Sequence, residues 1–174
     1  MAAVSTSRRS LTGIVLIIAG ALLLLAILLP LAGVAVSWLG GLGYLAIAVA
    51  LIIFAIGGVN SRLTQILLIA AGIGWALLGL AAFGLGLPAV LITIAALVAG
   101  IGTVVAAILL YVGKEIRNTP AILFIVTAVL GLLVLLPSFG VAALAGTLYT
   151  IIFVAFAIGL VITGYLFTRK EGRR

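Results

Sequence analysis

Side chains able to do covalent or acid–base chemistry are nearly missing from these 174 residues. There is no Cys, no His and no Asp, and the carboxylates are Glu115 and Glu171. Thiol catalysis, thiolate metal binding and disulfides are thereby excluded. General acid–base catalysis lacks suitable groups, and a metal held by carboxylates would find at most one ligand in a loop. Tyrosine hydroxyls titrate near pH 10 when unperturbed, which makes them poor substitutes at neutral pH. No catalytic, cofactor-binding or metal-ligating residue is assigned, no cofactor is expected, and the expectation is a protein without enzyme activity.

The basic residues carry more information. Arg8 and Arg9, then Arg62, then Lys114 and Arg117, then Arg169, Lys170, Arg173 and Arg174 form four groups between long apolar runs. Each interval accommodates two crossings of about 20 apolar residues, which bring the chain back to the side it left. Lys and Arg in short loops hold those loops in the cytoplasm, so both termini are expected there. The same bias accounts for the net charge of +7, and nucleic-acid binding is not expected.

Composition agrees. Hydrophobic residues make up 67% of the chain and charged ones 6%, against roughly a quarter charged in soluble domains. Backbone groups in hydrocarbon must be hydrogen-bonded within the protein, which leaves helices or a closed barrel. The apolar runs are continuous rather than alternating, so the barrel is excluded. The expected fold is all-α: a polytopic membrane protein with six transmembrane helices in a single domain over 1–174. The spans fall at about 11–29 (ending before Pro30), 42–56, 63–83, 89–112, 120–136 and 142–167, with a basic cytoplasmic tail at 168–174. An apolar stretch near 20 residues is longer than a signal peptide's core. The twin-arginine-like Ser7-Arg8-Arg9-Ser10-Leu11 is therefore expected to lead a retained helix.

These spans group into hairpins at about 9–58, 62–112 and 117–167, which look like three copies of one unit. Arg9, Arg62 and Arg117 precede them at spacings of 53 and 55 residues. Pro30-Leu31-Ala32-Gly33-Val34-Ala35 matches Pro137-Ser138-Phe139-Gly140-Val141-Ala142, whereas Pro88 in the middle hairpin is displaced by about four positions. Units of two helices preserve orientation, giving a parallel repeat about the membrane normal. Gly13 and Gly20, and Gly72, Gly79 and Gly86, recur every seven residues on one helix face, where small residues let backbones approach closely. The expected partners are helices of the same chain, with self-association as the alternative.

Aromatic residues suit the layout. Trp38, Tyr44, Phe83 and Phe139 are expected at the outer interface, Tyr111, Tyr165 and Phe167 at the inner one, and Trp75 deeper as a packing residue. Thr93, Thr103, Thr127, Thr147, Thr150 and Thr163 supply most of the polarity within the spans. A threonine hydroxyl can bond a carbonyl one turn earlier, which satisfies it without any function. Gln65 is expected to reach the inner interface. In the tail, Arg169, Lys170, Arg173 and Arg174 form a candidate contact for anionic lipid, at about 1 kcal/mol per basic residue. Orientation alone also accounts for them.

In length, in the hairpin layout, in the Arg that precedes each pair, in the Gly-dotted helices and in the ends at Pro30 and Pro137, the chain resembles the HdeD-like family of small bacterial membrane proteins. The likeness covers nearly the whole chain. It implies a protein of the bacterial plasma membrane linked to acid or general stress resistance, with no catalytic residues to carry over. The leading expectation is a non-enzymatic, membrane-stabilising protein whose partners are the lipid bilayer and other membrane proteins. The alternatives are a passive channel or carrier for a small neutral solute, or an accessory subunit of a larger membrane complex.

Overall fold

The computed structural model describes residues 6–34, 36, 38–140 and 146–169. Its elements are α1 (Thr6–Leu31), α2 (Trp38–Gly57), α3 (Arg62–Ala82), α4 (Ala89–Val112), α5 (Asn118–Leu135), a 3-10 turn (Leu136–Phe139) and α6 (Thr147–Thr168). Among the described residues all six α-helices are long and apolar enough to cross a membrane, and no strand is present. The fourth expected span coincides with α4. The expected start of the sixth, near 142, lies outside the described residues.

Two helices run longer than expected. α2 starts a turn earlier, at Trp38, and α1 continues through Pro30 to Leu31. A proline in the last turn forfeits one backbone bond, too little to end the helix there. The stop comes at Gly33, whose φ is +80°. Its N–H donates to the Pro30 carbonyl at 3.0 Å, and the Val34 N–H reaches the Leu29 carbonyl at 3.0 Å, the paired bonds of a Schellman cap.

The end of α3 and the 3-10 turn also close on a left-handed glycine with one of these bonds. Gly84 and Gly140 both have φ of +78°. Gly84 N–H donates to the Ala81 carbonyl at 2.9 Å and Gly140 N–H to the Pro137 carbonyl at 3.1 Å. The Pro-x-x-Gly segments of the outer hairpins are therefore one kind of turn, and Ala81-Ala82-Phe83-Gly84 makes it without proline. Gly84, rather than Pro88, marks the middle hairpin; Pro88 instead precedes α4 as its N-cap. Ala35, Val141 and Ala142, the ends of the two sequence motifs, lie outside the described residues.

Each helix packs on its neighbours in the chain, and α6 returns to α1, so the six close into a ring. Glycines set the close approaches. A Cβ added to Gly13 would lie 2.5 Å from the Gly164 carbonyl oxygen, and one added to Gly20 would lie 2.6 Å from that of Ala157, which seals α1 against α6. Gly79 and Gly41 meet in the same way between α2 and α3, at 2.9 Å and 3.0 Å, and Gly72 faces α2 as well. Gly86, the third of its expected series, lies past the end of α3 with nothing within 4 Å.

Six helices in a ring leave a central space that only bulky side chains fill to interior density. Trp75 stacks on Phe156 with ring centres 5.8 Å apart and planes at 14°, and Tyr44 packs on Trp75 at 5.3 Å. Nearer the inner end, Phe167 lies between Phe54 at 5.3 Å and Phe124 at 6.2 Å. Tyr44 and Phe167, expected at the interfaces, thus turn into the bundle because its centre needs their volume. Trp38, Phe83, Tyr111 and Tyr165 remain exposed near the helix ends.

Candidate functional site

Among the described residues, charged and hydrogen-bonding side chains gather at the α2–α3 and α4–α5 turns. α4 ends in a Schellman cap of its own: Glu115 N–H donates to the Leu110 carbonyl and Lys114 N–H to that of Tyr111, both at 3.1 Å. Lys114 takes the left-handed position at φ +51°, where glycine is usual. That turn aims Glu115 across the bundle. Its carboxylate accepts the Asn60 N–H at 2.7 Å and the Ser61 N–H at 3.2 Å. Ser61 is the N-cap of α3, which has no acidic residue in its own first turn. Glu115 supplies that negative charge from another loop, where the helix dipole favours it.

Arg9, at the start of α1, completes the clamp. Its guanidinium donates to the Glu115 carbonyl at 2.8 Å and to that of Gly58 at 3.5 Å. Gly58 follows α2 directly, so the cation also stands at the negative end of that helix. Gln65 donates to the Val59 carbonyl at 2.8 Å, within the same turn, consistent with its expected reach to the inner end. One arginine and one glutamate thus tie the start of α1 to both inner turns. Each such bond contributes about 1 kcal/mol at a partly exposed edge.

Beside the clamp lies a hollow of about 800 Å³ whose charged lining is Arg9, Lys114, Glu115, Arg117 and Arg169. Of the four tail residues assigned from sequence, Arg169 is part of it. Arg169 follows α6, its N–H donating to the Tyr165 carbonyl at 3.2 Å and its guanidinium 5.3 Å from the Tyr165 ring centre. Lys170, Arg173 and Arg174 lie outside the described residues. From sequence, Arg9, Lys114 and Arg117 mark orientation, and Arg9 and Arg117 also hairpin starts, while Glu115 is a plain loop residue. The signal for Glu115 is its rarity, as the one acidic residue outside the tail. Among the described residues no three His, Cys, Asp or Glu side chains group as metal ligands.

The threonines of the spans bond mostly within their own helices. Thr93, Thr103, Thr127 and Thr150 each donate to the carbonyl one turn earlier. Thr103 also accepts the Trp75 indole N–H at 3.2 Å, and Thr127 meets Thr163 at 3.1 Å. A cavity of about 20 Å³ remains beside Trp75, Thr103 and Thr127, room for about one water. No family model, no curated protein and no solved structure matches the chain.

Proposed function

We propose that this chain is a non-enzymatic, multi-pass protein of the bacterial plasma membrane that stabilises the membrane under stress. Six apolar helices make it an integral membrane protein by character. The observation that carries the rest is the filled ring. Its centre is occupied by the Trp75–Phe156 stack and the Phe54, Phe124 and Phe167 cluster, and Arg9, Lys114, Glu115, Arg117 and Arg169 share one hollow at its end. A body of that kind offers lipid-facing area and a charged headgroup-level face. The HdeD-like layout supports stress resistance, acid resistance in particular, as the setting.

Both termini are assigned to the cytoplasm. Arg9 and Arg169 share the hollow with the α4–α5 turn, so the two ends and that turn stand on one side, the side the positive-inside rule places within. The reading includes three copies of one hairpin. Gly33, Gly84 and Gly140 support it, at spacings of 51 and 56 residues. Buried Leu16, Leu68 and Phe124, then Ala19, Ala71 and Thr127, recur at 52 and 56.

The test is survival of a deletion strain against its parent in acid, detergent and osmotic shock. At least a tenfold loss in one challenge, restored by the gene in trans, is expected. Equal survival in all three would remove the reading. Vesicles loaded with the protein are expected to match empty ones in permeability to small neutral solutes.

A further inference from the structure

We propose that the inner-face hollow binds the phosphate group of an anionic phospholipid, with Arg9, Lys114, Arg117 and Arg169 as its cationic ligands. The inference rests on the membrane-embedded reading above but not on the stress role. Three parts of the chain converge there: the start of α1, the α4–α5 turn and the end of α6. Four cationic side chains line one hollow, and an anion held there would meet all four. The Glu115 carboxylate itself accepts the Asn60 and Ser61 N–H groups across the clamp.

Two further observations point the same way. The Arg9 Nε is buried with no hydrogen-bond partner, in a residue that lines the hollow. Asn118 and Thr119, in the first turn of α5, also line it, and no side chain caps that helix start. Free N–H groups in a helix's first turn favour phosphate oxygens. The volume of about 800 Å³ lies within the range of small-ligand sites, about 300–1,000 Å³. Pro120 and Leu166 complete the lining from the ends of two apolar helices. A lipid's glycerol and acyl chains continue along those helices, as a free phosphate's surroundings need not. This selects phospholipid over soluble phosphate.

The experiment is native mass spectrometry of the full chain after reconstitution in vesicles of equal phosphatidylglycerol and phosphatidylcholine. The wild-type protein is expected to retain phosphatidylglycerol in preference. Lys114→Gly combined with Arg117→Gln is expected to lower that retention about 30-fold, since each basic residue contributes about fivefold. Glycine suits the left-handed position of Lys114, so this variant keeps its fold, and a thermal melt checks that it does. Arg62→Gln removes an exposed charge of the α2–α3 turn that does not line the hollow, and is expected to lower retention by at most about twofold, well below the loss from the hollow residues. Equal retention of the two lipids would overturn the proposal. So would an equal fall in Arg62→Gln, or a loss seen only when Lys170, Arg173 and Arg174 are all changed to Gln, because the attraction would then be diffuse. Full displacement of phosphatidylglycerol by millimolar inorganic phosphate would overturn the lipid as the ligand. Recovery of the protein in the membrane fraction is scored separately, so a failed membrane reading is told apart from a failed site.

Discussion

Glu115 joins two inner turns through different atoms, its carboxylate taking Asn60 and Ser61 and its carbonyl taking Arg9. Glu115→Ala is expected to cost about 1–2 kcal/mol, because two N–H groups at the start of α3 lose their acceptor and the dipole its counter-charge. Thermal unfolding in detergent measures this, and an unchanged melting temperature would mean that the clamp is not structural. Lys114→Gly is expected to stabilise by about 0.5–1 kcal/mol in the same assay, relieving a left-handed lysine at the small entropic cost of glycine. Neither effect was legible in the sequence. Asn60 and Glu115 are 55 residues apart, and a lone glutamate in a basic loop looks like any solvated charge. The behaviour of the threonines was legible, because a hydroxyl in an apolar helix has its own carbonyls one turn back.

Helix ends and helix contacts obey simpler rules. Gly13→Val and Gly164→Val are each expected to cost about 3 kcal/mol or more, since the added atoms meet backbone that cannot turn aside. Gly86→Ala, with nothing within 4 Å, is expected to be neutral. Melting temperatures of the three variants check this, and equal shifts would contradict the assigned contacts. The seven-residue glycine spacing correctly announced close approaches within the chain. It did not say which helix would meet which, because every apolar face reads alike when Leu, Ala and Val cover all sides. α4 is legible to the residue, since Pro88 and Gly113 flank an unbroken run. Pro30 reads as a stop in the sequence, whereas α1 runs through it, and a left-handed glycine three residues later is the feature that this end shares with those at Gly84 and Gly140.

At the scale of the molecule, charge was the most legible property and closure the least. Nine basic residues among long apolar runs imply six crossings, and the described residues form six apolar helices. That α6 returns to α1, and that Tyr44 and Phe167 fill the centre instead of the interfaces, follows from the ring and not from local pattern. The central claim is a six-helix membrane ring whose inner turns and both ends face the cytoplasm. The chain has no cysteine, so single-cysteine variants report orientation without background. Asn60→Cys places a thiol in the α2–α3 turn, and Gly86→Cys places one in the α3–α4 turn at a site with nothing within 4 Å. The direct measurement is labelling of both variants in intact cells by a membrane-impermeant maleimide. Gly86→Cys is expected to react at once and Asn60→Cys only after permeabilisation. Reaction of Asn60→Cys from outside, alone or together with Gly86→Cys, would contradict the account.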